Sequence, residues 1–215
     1  KSSHLIKELN KLQKDEQVKA VVLRVNSPGG SAYGSEQIWH AMSQLKKEKP
    51  IVVSMGDYAA SGGYYISCMA NTIVAQATTL TGSIGIFALI PNTKSFTDKL
   101  GVSYEVVTTN EKSDILTTNR ALNQEELKLF QSYIDQGYAL FVKRCADGRE
   151  IPYEELEPVA QGRVWTGKQA LANGLVDTLG GLDLAVEIAA RYAELESYEL
   201  CTYPEDKGMF EKWTG

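Results

Sequence analysis

Two apolar, β-branched runs in this chain each end in a glycine turn and lead directly into a helix-like stretch, and that pairing restricts the fold more than any other feature. Val21-Val-Leu-Arg-Val-Asn26 runs into Ser27-Pro-Gly-Gly-Ser31, and Ile51-Val-Val-Ser-Met55 runs through Gly56 toward Ser61-Gly-Gly63. Parallel strands need crossover helices, which cover both faces of the sheet, so their strands read as continuous apolar runs rather than alternating ones. Strand and helix signals alternate along the rest of the chain too. Leu5, Ile6, Leu9 and Leu12 mark a helix over 4–14, and Ile38, Met42 and Leu45 mark one over 33–47 that Pro50 stops. Short strands are expected at 18–26, 51–55, 72–75, 104–107 and 175–177, and helices at 92–100 and 183–191. Asn123, with Glu126 three residues on, opens a helix to about residue 146 that buries Leu127, Phe130, Ile134, Tyr138, Phe141 and Val142. Thr166 and Gln169 form a second capping box. The pattern predicts an α/β fold with a parallel sheet flanked by helices.

The turn at Ser61 carries the chemistry. A serine between a strand and a helix start lies beside unpaired backbone N–H groups, which stabilise negative charge developing on a bound oxygen. The turn at Gly29–Gly30 sits at the end of another strand, so its amides can approach the same point from a second side. Acyl transfer needs that arrangement, because its tetrahedral intermediate places full charge on the former carbonyl oxygen. A tight, small-residue turn without catalysis is the competing reading. Phosphate binding is not: neither Gly-x-x-x-x-Gly-Lys-Ser/Thr nor Gly-x-Gly-x-x-Gly occurs.

Composition narrows the partners. The 215 residues, 43% of them hydrophobic, suffice for a proper core, and a formal net charge of -5 argues against nucleic acid. No apolar run approaches a bilayer span, and the opening Lys1-Ser-Ser-His reads as a piece cut from a longer chain. Cys68, Cys145 and Cys201 form neither a disulfide framework nor a zinc site; the first two read as buried packing residues. No motif calls for a metal or an organic cofactor. Without a linker or repeat, residues 1–215 are expected to form a single domain, with 197–215 as a C-terminal arm or a frayed end.

A serine hydroxyl needs a base. His4 and His40, both on helices upstream of Ser61, fit that role poorly. A lysine serves if burial keeps it neutral, as in Ser-Lys dyads. Lys112 lies in the polar segment 108–119, which reads as a functional loop. Lys94 and Lys99 are weaker candidates on a helix expected to pack outside the sheet.

Four motifs then match a family in order: Asn26-Ser-Pro-Gly-Gly30, Asp57-Tyr-Ala-Ala-Ser-Gly-Gly-Tyr-Tyr-Ile66, Thr79-Leu-Thr-Gly-Ser-Ile-Gly85, and Gln161-Gly-Arg-Val-Trp-Thr-Gly167 with Ala172-Asn-Gly-Leu-Val-Asp177. Together, over about residues 5–200, they resemble the signal peptide peptidase A family, also called protease IV. The resemblance implies a crotonase-like, Clp-protease-like fold of stacked ββα/βαβ units, and a serine endopeptidase that degrades cleaved signal peptides and other apolar segments. It implies Ser61 as nucleophile and the Gly30 and Gly62 amides as oxyanion hole. It further implies assembly into a homo-oligomeric ring or bowl, and membrane association at the extracytoplasmic (periplasmic) face through a segment absent from this chain. Short family members keep serine and lysine in one domain, and Lys112 lies at about that spacing from Ser61. Long members carry the lysine in a first half and the serine in a second, which this chain resembles. Two other readings stand beside the peptidase. One is a crotonase-type acyl-CoA enzyme, although Asp57, the only acidic residue near Ser61 in sequence, fits better as a cap on the turn. The other is a catalytically incomplete half.

Overall fold

A computed structural model of the chain describes residues 2–115 and 117–204. Packing groups the chain into two compact units, Lys1–Gly85 with Phe141–Gly215, and Ile86–Leu140.

The first unit is built on a curled sheet. Strand β1 (Val21–Ser27) follows helix α1 (Ser2–Lys14), and β2 (Ile51–Ala60) follows α2 (Ala32–Lys46). After β2 come α3 (Gly62–Ser67), β3 (Thr72–Ala75) and β4 (Leu80–Gly82). Strand β2 is the centre: it pairs in parallel with β1 along one edge, and along the other with β3 over its first half and β4 over its second. Its residues Ile51, Val52, Val53 and Met55 are all fully buried, as a strand covered on both faces requires. Past Leu140 the unit resumes with the end of a long helix, then α6 (Tyr153–Leu156), a 3₁₀ turn (Glu157–Val159), β5 (Val164–Thr166), α7 (Gly167–Ala172), β6 (Thr178–Leu179) and α8 (Leu182–Tyr192). Strand β6 extends the parallel sheet beside β3, whereas β5 runs antiparallel to β4. Helix α8 sets Ala185 and Ala189 against Val52 and Val74, small side chains that let a helix approach the sheet closely.

The β2 strand runs five residues beyond the expected 51–55, and the reason is a register shift. Val25 pairs with Met55 but Ser27 pairs with Ala59, so two extra residues of β2 must leave the ladder between them. Asp57 and Tyr58 are the exposed residues there, and the Asn26 side chain fills the gap by accepting the Tyr58 N–H at 3.1 Å. Two threonines close the other edge: Thr79, just before β4, donates its Oγ1 hydrogen to the Gly56 carbonyl at 2.7 Å, and Thr81, within β4, donates to the Ala59 carbonyl at 2.6 Å. Asp57 was expected to cap this turn. Among the described residues no hydrogen bond of the turn involves its carboxylate, and the residue is exposed beside the bulge, where the Asn26 side chain takes the Tyr58 N–H instead.

The second unit contains α4 (Lys94–Lys99) and the first part of α5 (Gln124–Arg149). Residues 104–107, expected as a strand, have no regular structure: Val106 is 50% and Val107 95% exposed, and no strand among the described residues pairs with them. Leu127 of α5 is 46% exposed rather than buried; burial on this helix begins in earnest at Phe141 and Val142. The Asn123 cap is as expected. Its Oδ1 accepts from the Glu125 and Glu126 amides at 2.9 Å each, and Glu126 Oε2 accepts the Asn123 amide at 2.7 Å. Of residues 175–177, expected as a strand, Leu175 and Val176 are buried and Asp177 is exposed in a connection, with the strand itself at 178–179. Of the expected C-terminal arm, 197–204 contain no strand, and 205–215 lie outside the described residues. Cys68 and Cys145 are buried, as expected.

Candidate active site

Ser61 occupies the single residue between β2 and α3. Its backbone has φ 52° and ψ -119°, a conformation that costs an L-residue on the order of 1–3 kcal/mol unless the surroundings impose it. Two hydrogen bonds brace it: its N–H donates to the Gly82 carbonyl at 2.9 Å, and its own carbonyl accepts the Tyr65 amide at 2.9 Å, closing the first turn of α3. The side chain is partly exposed and makes no capping hydrogen bond, so the hydroxyl is not spent on its own helix. A serine used only to start a helix normally places that oxygen on an amide two or three residues on, as Ser31 does for Gly34 at the start of α2.

The Gly29–Gly30 turn closes on this point from β1. A Cβ placed on Gly29 would lie 2.7 Å from the Ser61 Cβ and 2.9 Å from the Gly62 nitrogen. One placed on Gly62 would lie 3.3 Å from the Gly30 nitrogen and 2.5 Å from the Ser35 hydroxyl. Both positions therefore require glycine, because the two backbones pass with no room for a side chain. Among the described residues nothing accepts a hydrogen bond from the Gly30 or the Gly62 amide. Two free donors beside one hydroxyl is the arrangement that can hold a tetrahedral oxyanion. The turn is itself braced: the Ser27 hydroxyl accepts the Gly29 amide at 3.2 Å, and the Ser35 hydroxyl donates to the Ser31 carbonyl at 3.0 Å. The bracing roles of Ser27 and Ser35 are not visible in the sequence, where both read as ordinary turn and helix-start residues.

Behind the turn, α2, α3 and the end of α5 are tied by a polar cluster. Tyr65 donates to Glu36 at 2.5 Å, Arg144 pairs with Glu36 at 2.6 Å, and the Arg144 guanidinium lies 3.8 Å over the Trp39 ring. Burial, reinforced by the Glu36 hydrogen bond, pushes the Tyr65 phenol well above its ordinary range, so it stays a neutral donor. Tyr64 is fully buried and donates to the Leu175 carbonyl at 2.9 Å, and burial raises its phenol in the same way. These contacts fix the helix that Ser61 begins.

The structure thus places Ser61, Gly30 and Gly62 together in one unit. Lys112 belongs to the other unit, on an exposed turn where its amide donates to Asn110 Oδ1 at 3.0 Å. Lys94 there pairs with Asp98 at 2.9 Å, and Lys99 is exposed. His4 and His40 are exposed on α1 and α2. Among the described residues no helix is long and apolar enough to cross a membrane.

Comparison with known proteins adds the following. A model of "Peptidase family S49" matches residues 43–196, and a "Clp protease" model matches residues 1–81. The chain is 47% identical to Protease 4 of Salmonella typhi over 193 residues, 89% of this chain and 31% of that protein. It is 38% identical to the chloroplastic serine protease SPPA of Arabidopsis thaliana over 195 residues, 90% of this chain and 29% of that protein. A shorter relative from Synechocystis sp. is 37% identical over 207 residues, 95% of this chain and 75% of its own length. The chain therefore spans less than a third of the two long relatives and most of the short one.

Proposed function

The chain belongs to peptidase family S49, and on that premise we propose that it supplies the nucleophile and the oxyanion hole of a serine endopeptidase acting on apolar peptide segments, cleaved signal peptides among them. One observation carries the reading: the amides of Gly30 and Gly62 lie free beside a serine held at positive φ. Ser61 Oγ attacks the peptide carbonyl and passes its proton to a base. The carbonyl oxygen, now anionic, accepts hydrogen bonds from the two glycine amides; collapse expels the amine, which takes the proton back from the base. Water, giving a proton to the same base, then attacks the acyl group and releases it as the base reprotonates Ser61 Oγ. Each oxyanion donor is worth roughly 10²–10³ in rate. An acyl-CoA enzyme on the same loops gains no support from the family match.

The base is a lysine. Within this chain the candidate is Lys112, with both units forming one peptidase domain. Its exposure favours a second source, a lysine from a part of the longer protein outside these residues, since a neutral lysine needs a buried setting. Assembly of several copies into a ring or bowl, and action at the extracytoplasmic face of a membrane, complete the proposal. In the full-length protein, Ser61→Ala is expected to lower peptide-ester cleavage by about 10⁴-fold or more; unchanged turnover refutes the assignment. Lys112→Ala separates the two sources of the base. A loss of about 10³-fold assigns it to Lys112, and retained activity assigns it to the rest of the protein.

A further inference from the structure

The sequence segment 161–167 has no part in the chemistry just described, yet it lies against the end of β4, whose Gly82 carbonyl accepts the Ser61 N–H. Strand β5 pairs with β4 so that Trp165 faces Thr81 and Val164 faces Gly82. Gly82 has φ 75° and Ser83, with a side chain, φ 49°, so two consecutive residues are held in the left-handed region where β4 ends. Three contacts from the 157–165 segment hold them. The Ser83 amide donates to the Arg163 carbonyl at 2.7 Å, and the Gly162 amide donates to the Ile84 carbonyl at 2.8 Å. The Trp165 indole lies so close behind Gly82 that a Cβ there would be 2.8 Å from its Cδ1. The indole is itself pinned, its Nε1 donating to the Val159 carbonyl at 2.9 Å beside the buried Leu156 and Ala160. What Gly82 then presents is its carbonyl, which accepts the Ser61 N–H.

We propose that Trp165 is a positioning residue for Ser61: the indole, anchored on Val159, wedges Gly82 so that its carbonyl holds the Ser61 amide and with it the strained backbone that aims the hydroxyl. The geometry makes this a chain of contacts, Val159 to Trp165 to Gly82 to Ser61, in which each link is a hydrogen bond or a van der Waals stop. Remove the wedge and Ser61 can relax toward an ordinary helix start, in which its hydroxyl turns back onto the amides of its own helix. A misplacement of about 1 Å at a reacting atom can cost on the order of 100-fold in rate. The inference rests on Ser61 being the nucleophile.

The test uses the full-length protein, with kcat and KM for a peptide ester and the thermal midpoint measured for each variant. Trp165→Phe keeps an apolar ring but loses the bond to Val159; it is expected to fold, with KM within about twofold and kcat lowered about tenfold. Trp165→Ala is expected to lower kcat about 100-fold. Gly82→Ala meets the indole directly and is expected to lose as much, and combining it with Trp165→Ala is expected to cost no more than either change alone, because both break one link. Leu9→Ala, in the core under α1 and far along the chain from this turn, serves as the stability control: it is expected to lower the midpoint while leaving kcat unchanged at a temperature where it is folded. Independent, additive losses at 82 and 165, or a Trp165→Phe defect that appears only as raised KM with kcat unchanged, overturn the proposal. So does a kcat loss in Leu9→Ala equal to that of Trp165→Phe at matched stability. Failure of the parent reading looks different: Ser61→Ala would then retain turnover, whatever the Trp165 variants do.

Discussion

The unit that carries Ser61 and the unit formed by residues 86–140 use apolar side chains in opposite ways. In the first, the central strand and its helices leave Ile51, Val53, Met55, Ile73 and Val74 without exposed surface. In the second, Phe87 is 90%, Leu89 87% and Val107 95% exposed, and what order there is comes from caps and ion pairs. A strained serine needs surroundings that over-determine its backbone, and only a close-packed sheet supplies them. The contrast is sharpest for a core truncation. Ile73→Ala in β3 is expected to destabilise the first unit by about 2–5 kcal/mol, since its methyl groups leave a cavity that a sheet covered on both faces cannot close. Urea denaturation monitored at the sheet would check it; a cost below about 1 kcal/mol would mean that β3 is far less tightly enclosed than its burial says.

The second unit is expected to respond most to its caps and charges. Asn123→Ala removes an oxygen that accepts two amides at the start of α5, at an expected cost of about 1 kcal/mol, read as lost hydrogen-exchange protection over 124–130 with the amides of β2 unchanged. Acid probes the same region. Arg120 joins Asp114 at 2.8 Å and Glu126 at 2.6 Å, and its hydrogen bonds hold both carboxyls below the usual carboxylate range. A carboxyl depressed in the folded state stabilises at pH values above its unfolded pKa, about 4, and loses that contribution as pH falls through its lower folded value. Protection around 114–126 is therefore expected to fall away below about pH 4, at which β2 still exchanges slowly; simultaneous loss in both units would erase the distinction between them.

How far the residues disclosed this follows the same line. The strand–Ser–Gly–Gly and strand–Pro–Gly–Gly turns are local patterns, and the expected helix and strand around each are present at 21–46 and 51–67. So are the capping boxes at Asn123 and Thr166, whose partners lie three residues away. Three features were hidden because their cause lies elsewhere in the chain. Strand β2 continues to Ala60 only because Asn26 and β4 pair with it beyond Gly56, which in isolation reads as a turn. Residues 104–107 have strand-forming side chains but no partner strand among the described residues. The role of Trp165 depends on a contact with Gly82, eighty-odd residues earlier, that no periodicity reports. The base is not legible for the same reason: the family resemblance points to Lys112 by its spacing from Ser61, whereas a lysine's action as a base is set by burial, which spacing does not report, and Lys112 is exposed.

The smallest expected effect is the most direct check on the contrast. Phe87 and Val107 are the kinds of side chain whose truncation in a core costs about 1.5–5 kcal/mol. At 90% and 95% exposure they bury almost nothing within their unit, so Phe87→Ser and Val107→Ser should each shift the denaturation free energy of this chain by less than about 0.5 kcal/mol. Replacing them also removes apolar surface from contact with water in the folded and unfolded chain alike, which leaves no net transfer term to lose. A cost above about 1 kcal/mol at either position would show that these residues are covered when the chain is in solution, and the division between a packed unit and an open one would have to be redrawn around what covers them.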